Sequence, residues 1–270
     1  MKLGISSYTY TWAIGVPGSA PAYPMTAHDL INAAVALGIH VVQIADNLPL
    51  HQIADEDRTA LAADAHEKQV EIEVGTRGIS HDYLLQYIEL ATLFHSPILR
   101  VVIDTQTHHP SADEVVDLLK AQTALLADRG ITLAIENHDR FSARTFARII
   151  ERIGSQNVGI CLDTVNSFGA LEGPEVVVDV LAEYVVNLHI KDFSIQRHSH
   201  MMGFSIEGQP AGQGRLDIPW LLARLAKKGR DPNAILELWT PPEENVEATI
   251  AKERSWAEQS VKTLRQWISE

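Results

Sequence analysis

Four largely apolar runs in this chain each end in a side chain that can hold a cation or move a proton. The runs are residues 131–136, 158–163, 185–189 and 234–237, and they finish in Glu136, Asp163, His189 and Glu237. A buried strand gains nothing by ending in a charge, so four such ends imply convergence on something that needs charge. Three carboxylates with one imidazole form a hard, oxygen-rich donor set. That set suits Mn²⁺ first, with Mg²⁺, Co²⁺ or Zn²⁺ within its range. Against a dication it would leave roughly one negative charge, compatible with a neutral or mildly acidic oxygen-donor substrate. Singly, each residue also reads as a solvated or salt-bridged strand end; the repetition at matching positions argues for a site.

The elements that must position these residues alternate along the whole chain. Strand-like runs at 3–7, 40–44, 70–74 and 98–103 precede the four above. Amphipathic helical segments fall at 26–37, 55–68, 81–94, 111–127, 143–153, 174–184, 218–228 and 246–268. Thr26 and Ser111 are suited to cap helices, and Gly38 and Gly130 to end them. Strict alternation predicts parallel strands joined by crossover helices, an α/β protein. Eight units in this length predict a single (β/α)8 TIM barrel over residues 1–270. A doubly wound sheet is the rival, but the first turn, after Ser7, carries no G-x-G-x-x-G. The βα loops of such barrels form the active face, and residues two apart in a strand share a side. Inward-facing Glu136, Asp163, His189 and Glu237 would therefore surround one mouth.

Composition narrows the partners. The chain has 270 residues, 46% hydrophobic and 21% charged, enough to bury a large core. Its formal net charge of −13 opposes nucleic-acid binding, which draws on Lys and Arg. The one cysteine, Cys161, precludes an internal disulfide, fits a reducing compartment, and reads as a buried filler rather than a nucleophile. No stretch reads as a membrane span, and the first residues read as a strand rather than a signal peptide. A cytoplasmic enzyme with a small-molecule substrate is expected, with a homo-oligomer left open.

The strings Ala-Ile-Glu-Asn-His at 134–138, Cys-Leu-Asp-Thr-Val-Asn at 161–166, His-Ile-Lys-Asp at 189–192, Gly-Gln-Gly-Arg-Leu-Asp at 212–217 and Leu236-Glu237 carry a resemblance. They resemble the xylose-isomerase-like sugar (phosphate) isomerase/epimerase superfamily, over nearly the whole chain and most closely between 131 and 240. The resemblance implies that Glu136, Asp163, His189 and Glu237 ligate the metal, and that Glu136 and Glu237 are the acid/base pair. A metal chelated by a carbonyl and its neighbouring hydroxyl would stabilise an enediolate. The implied activity is a divalent-metal-dependent isomerase or epimerase of a small keto-sugar. The alternative is a lyase, a decarboxylase or dehydratase of a keto-sugar acid. A binding protein without turnover has little use for paired glutamates, and the endonuclease branch would need further histidines, such as His108 and His109, for a zinc cluster.

Around the four stand further candidates. Many family epimerases carry His three residues after the Asp ligand; here Asn166 stands there, and an amide exchanges no proton near neutrality. Asn166 is either a substrate contact or a helix cap. His138 is either a substrate contact or a satisfied loop histidine. Lys191 either reaches the mouth or pairs with Asp192, and Arg215 either binds an acidic group or lies on the surface. Arg77 is a further candidate for an anionic group. Trp12 and Trp239 could stack on a sugar, with apolar packing as the default. Residues 193–216 form the longest connection without apolar periodicity. Within it residues 197–202, with His198 and His200, read as a mobile lid, with metal binding by the His-x-His as the alternative.

Overall fold

In the computed structural model, which describes residues 1–268, eight parallel strands close into a barrel. They are β1 (Leu3–Ser6), β2 (Val41–Ile44), β3 (Glu71–Arg77), β4 (Ile98–Val102), β5 (Thr132–Glu136), β6 (Val158–Asp163), β7 (Val185–Ile190) and β10 (Ala234–Leu236). β8 (Asp192–Arg197) and β9 (Phe204–Gln209) form a separate antiparallel pair. Closure comes from β1, which pairs with β2 on one side and β10 on the other. A doubly wound sheet is thereby excluded.

Local chemistry sets the helices. Thr26 accepts from the Asp29 amide and Asp29 returns the bond, a capping box that starts helix Ala27–Ala36. Ser111 and Glu114 do the same for helix Ala112–Lys120. Gly130 and Gly154 end their helices in left-handed conformations, which cost glycine nothing. The helix expected over 111–127 is two, Ala112–Lys120 and Thr123–Arg129. Between them the buried Gln122 turns inward, with its Nε2 2.8 Å from His81 Nδ1.

A register shift in β6 decides which residues face the barrel interior. Ile160 pairs with Val185, but Cys161 pairs with Asn187, so Val186 is skipped and Asp163 comes opposite His189. Without it, Asp163 would sit opposite Leu188, and one of the two neighbours would face the wrong side. Gly159 makes the irregularity possible: a Cβ there would lie 2.8 Å from the Tyr184 carbonyl and 2.6 Å from Val186.

The long connection after β7 carries this β8–β9 hairpin, and residues 197–202 span the end of β8 and its turn. Ile195 stands opposite Ile206, and Arg197 opposite Phe204, whose ring it overlies at 5.9 Å. Its period of two explains why no helical pattern is visible there. The base is strapped by Asp192, whose carboxylate accepts from the amides of Phe193, Gly212, Gly214 and Leu216 at 2.8–3.0 Å. A Cβ on Gly208 would lie 2.1 Å from the Trp239 carbonyl, so the hairpin is pressed against the wall of the barrel mouth.

Candidate active site

Each expected ligand leaves the end of its strand. Glu136 and Asp163 close β5 and β6, His189 is the penultimate residue of β7, and Glu237 directly follows β10. All four are essentially buried. His189 Nδ1 lies 3.5 Å from Glu136 Oε2, 3.5 Å from Glu237 Oε1 and 3.8 Å from Asp163 Oδ2. Asp163, His189 and Glu237 each offer an atom within 4.8 Å of the other two, and Glu136 with Cys161 and His189 forms a second such set. The structure thus brings the four together around His189.

Three atoms at the centre lack a well-aligned hydrogen bond: His189 Nδ1, Asp163 Oδ2 and Glu237 Oε2. Lys191 Nζ is 2.8 Å from each of those two oxygens and pairs with both. Buried polar atoms left in this way are costly unless something else satisfies them. An imidazole nitrogen without a partner, with the carboxylates of Asp163 and Glu237 close to it, fits a divalent cation. Cys161 fits one poorly, since burial and then the Glu136 charge push its thiol well up and keep it protonated.

Charge in the site is more balanced than the four ligands suggest. Arg100, in the middle of β4 and fully buried, donates through Nε to Glu136 and through Nη1 to Asp46 at 2.7 Å. Asp46 also accepts from Arg77 Nε at 2.9 Å. Burial alone would raise the carboxyls of Asp46, Asp163 and Glu237. Arg100 and Arg77 nevertheless pull Asp46 below the usual range, Lys191 and His189 do so for Asp163, and His189 and Lys191 for Glu237. Burial likewise opposes the charged form of Lys191, but Asp163 and Glu237 raise it and hold the ammonium. In the same way Glu237 and Glu136 outweigh burial at His189 and raise the imidazole. Four carboxylates face three cations, a net of one negative charge that a dication would turn to one positive.

The remaining candidates divide. Asn166 Nδ2 donates to Glu136 Oε1, so both oxygens of Glu136 are engaged. The backbone amide of Asn166, with that of Val165, is capped by Asp163 Oδ1. His138, whose Nδ1 is 2.6 Å from Asp139 Oδ1, lines a cavity of about 340 Å³ above the cluster, together with Asn166, Lys191, Arg77 and Arg100. Trp12, Leu238 and Trp239 form its apolar wall, with Trp12 Nε1 donating to the Thr240 carbonyl at 2.9 Å. Arg215 does not join them: it lines a separate recess with Glu175 and Asp217. The Gly-x-Gly before it serves Asp192 rather than presenting a cation to the mouth. Lys191 pairs with Asp163 and Glu237, and Asp192 is occupied by backbone amides. His108 and His109 belong to no donor cluster among the described residues, nor do the stacked rings of His198 and His200.

Sequence reading missed Asp46, Arg100 and Gln43, whose Oε1 is 2.7 Å from His189 Nε2. The available signal was the same one: a polar residue inside an apolar strand, at Gln43 and Arg100, and an acid just beyond a strand end, at Asp46.

With this geometry established, comparison with known proteins places the chain. A family model described as the xylose isomerase-like TIM barrel matches residues 31–267. The chain belongs to that family. It is 30% identical over 264 residues to a 3-oxo-isoapionate decarboxylase of Pectobacterium atrosepticum, covering 98% of this chain and 95% of that protein. Among solved structures, D-psicose 3-epimerase determined in the presence of D-fructose superposes with TM-score 0.74 over 100% of both chains, at 15% identity. A xylose isomerase-like TIM barrel protein from Mycobacterium smegmatis in complex with magnesium gives TM-score 0.69, 13% identity and 97% coverage of each chain. The curated relative is thus named as a decarboxylase, and the two solved structures share the fold. No helix among the described residues is long and apolar enough to cross a membrane.

Proposed function

We propose that this chain is a divalent-metal-dependent lyase that decarboxylates a 3-oxo sugar acid, the lyase alternative of the sequence reading. The observation that carries this is the state of Glu136. Arg100 holds one of its oxygens and Asn166 the other, so it is poorly placed to shuttle a carbon-bound proton. A two-base epimerase needs that carboxylate free; a decarboxylase does not. The charge balance supports the same reading, because a metal-loaded site of net positive charge favours an anionic substrate. So does the 30% identical decarboxylase, which is named for a 3-oxo acid.

Asp163, His189 and Glu237, with Glu136, would hold the cation, Mn²⁺ being our first choice. When bound, it would polarise the 3-oxo group and favour the negative charge that develops there. The chain's residues do the rest. Arg77 and Lys191 orient the anionic substrate. Trp12, Leu238 and Trp239 exclude water from one side. The bond between the carboxylate carbon and C2 breaks, its electron pair passes into the enolate, and CO₂ leaves. C2 must then receive a proton. We assign that proton to His138, which lines the cavity and whose Nδ1 is engaged by Asp139.

Isomerisation of a keto-sugar is the second reading, favoured by one observation: Glu136 and Glu237 each lie 3.5 Å from His189 Nδ1, as a pair flanking one centre. Incubation of the Mn²⁺-loaded protein in D₂O with 3-oxo sugar acids and with ketoses separates the two. The lyase releases CO₂ and places one deuterium on the product carbon that was C2 of the acid. Deuterium in a ketose that keeps its full carbon skeleton, with no CO₂ from any acid, would establish the second reading instead. Chelation should abolish turnover and Mn²⁺ should restore it.

A further inference from the structure

Beneath the candidate metal centre, a fully buried polar network runs across the barrel interior. Gln43 on β2, Glu73 on β3 and Asn187 on β7 are all buried and far from solvent. Gln43 Nε2 donates to Glu73 Oε2 and to Asn187 Oδ1, both at 3.0 Å. Asn187 Nδ2 donates to Glu73 Oε2 at 2.8 Å, and Asn233 Nδ2 to Glu73 Oε1 at 2.8 Å. The partners of Glu73 are the side-chain amides of Gln43, Asn187 and Asn233, each donating to it. Cys161 Sγ, a thiol donor, lies 3.4 Å from Asn187 Oδ1, which marks that atom as an acceptor and matches this orientation of Gln43. Its NH₂ must face Glu73 and Asn187, and its carbonyl must face His189 Nε2, 2.7 Å away.

A carbonyl oxygen accepts and cannot donate, so the proton of a neutral His189 must sit on Nε2. The lone pair is then on Nδ1, the atom directed at the three carboxylates. From this we infer that Gln43, oriented by Glu73, is a positioning residue that selects the metal-binding tautomer of His189 and fixes its ring. Histidine ligands commonly donate their second N–H to a carboxylate or carbonyl. Here the acceptor is a side-chain amide whose direction is set one residue further out. Gln43 and Glu73 touch no substrate and do not line the cavity above. The inference rests on the metal reading but does not depend on which reaction follows.

The test is Mn²⁺ binding alone, by calorimetry and by electron paramagnetic resonance of free Mn²⁺. The chain is compared with Gln43→Met, Glu73→Gln and the double variant Gln43→Glu/Glu73→Gln. Gln43→Met keeps the length and removes the acceptor; its Mn²⁺ affinity should fall by about 10–100-fold, as for other outer partners of ligating histidines. Glu73→Gln frees the amide of Gln43 to turn, and a smaller loss is expected. The double variant returns an acceptor, a carboxylate, to position 43, facing an amide donor at 73, and should recover most of the affinity. Circular dichroism and melting of the metal-free proteins establish that each variant is folded. Unchanged affinity in folded Gln43→Met, or a double variant as weak as Gln43→Met, overturns the inference. A parent chain that binds no Mn²⁺ would instead overturn the metal reading beneath it.

Discussion

Two buried cations change what the ligand residues can do. Arg100 and Lys191 stand among Glu136, Asp163 and Glu237, so part of the acidic charge is already compensated before any metal arrives. Removing one partner of a buried ion pair typically costs about 3–5 kcal/mol, because the other charge is left unpaired. Lys191→Met should therefore lower the melting temperature of the metal-free protein sharply. A dication can take over part of the lost compensation at Asp163 and Glu237. Mn²⁺ should thus raise the melting temperature of Lys191→Met by more than it raises that of the parent, while turnover of an acidic substrate stays low. Melting curves with and without Mn²⁺ check this; an equal or smaller metal-induced rise would mean that Lys191 and the cation do not share those carboxylates.

At the scale of elements, the site depends on where strands slip. The skipped Val186 places Asp163 opposite His189, and Gly159 permits the slip because a side chain there would meet backbone. Gly159→Ala should cost about 1–3 kcal/mol, the usual price of overpacking a tight interior, and weaken Mn²⁺ binding with it. Urea unfolding and a Mn²⁺ titration read the two effects; a variant as stable as the parent would show that β6 and β7 can relax around the new methyl. This slip also marks the limit of what sequence pattern conveys. Strand-end charges at Glu136, Asp163, His189 and Glu237 were legible because they interrupt apolar runs where a barrel opens. Gln43, Arg100 and Asn187 interrupt such runs in the middle, where a pattern of apolar runs absorbs them. Arg215 misled for a different reason: its glycine neighbours exist to bring amides to Asp192, a long-range bond with no local signature. The hairpin escaped because beyond the buried Phe193 its apolar residues Ile195, Phe204 and Ile206 are exposed rather than set in a core.

Across the whole molecule, the last helix is tied to the first βα connection by one buried carboxyl. Glu253, in helix Val246–Leu264, accepts from the backbone amides of Trp12 and Ala13 at 3.0 and 3.1 Å. Burial pushes its carboxyl up from an ordinary 4.5 to about 7, against the opposing pull of those amides. The folded protein therefore holds a proton more tightly than the unfolded chain. This contribution is complete below the unfolded value and is lost as pH rises through about 7. Asp46, Asp163 and Glu237 are shifted the other way, so their contribution is lost only as pH falls below the ordinary carboxylate range. The two windows do not overlap. Stability should decline on the order of 3 kcal/mol between the unfolded and folded values of Glu253, at one pKa unit per 1.36 kcal/mol. Glu253→Gln carries no titrating proton and should flatten the curve of melting temperature against pH in that window. Its amide offers one acceptor where the carboxyl offers two, which shifts the whole curve by a pH-independent amount, so the slope is the quantity to compare. A slope unchanged by the substitution would place the titration elsewhere and leave Glu253 as a simple backbone clamp.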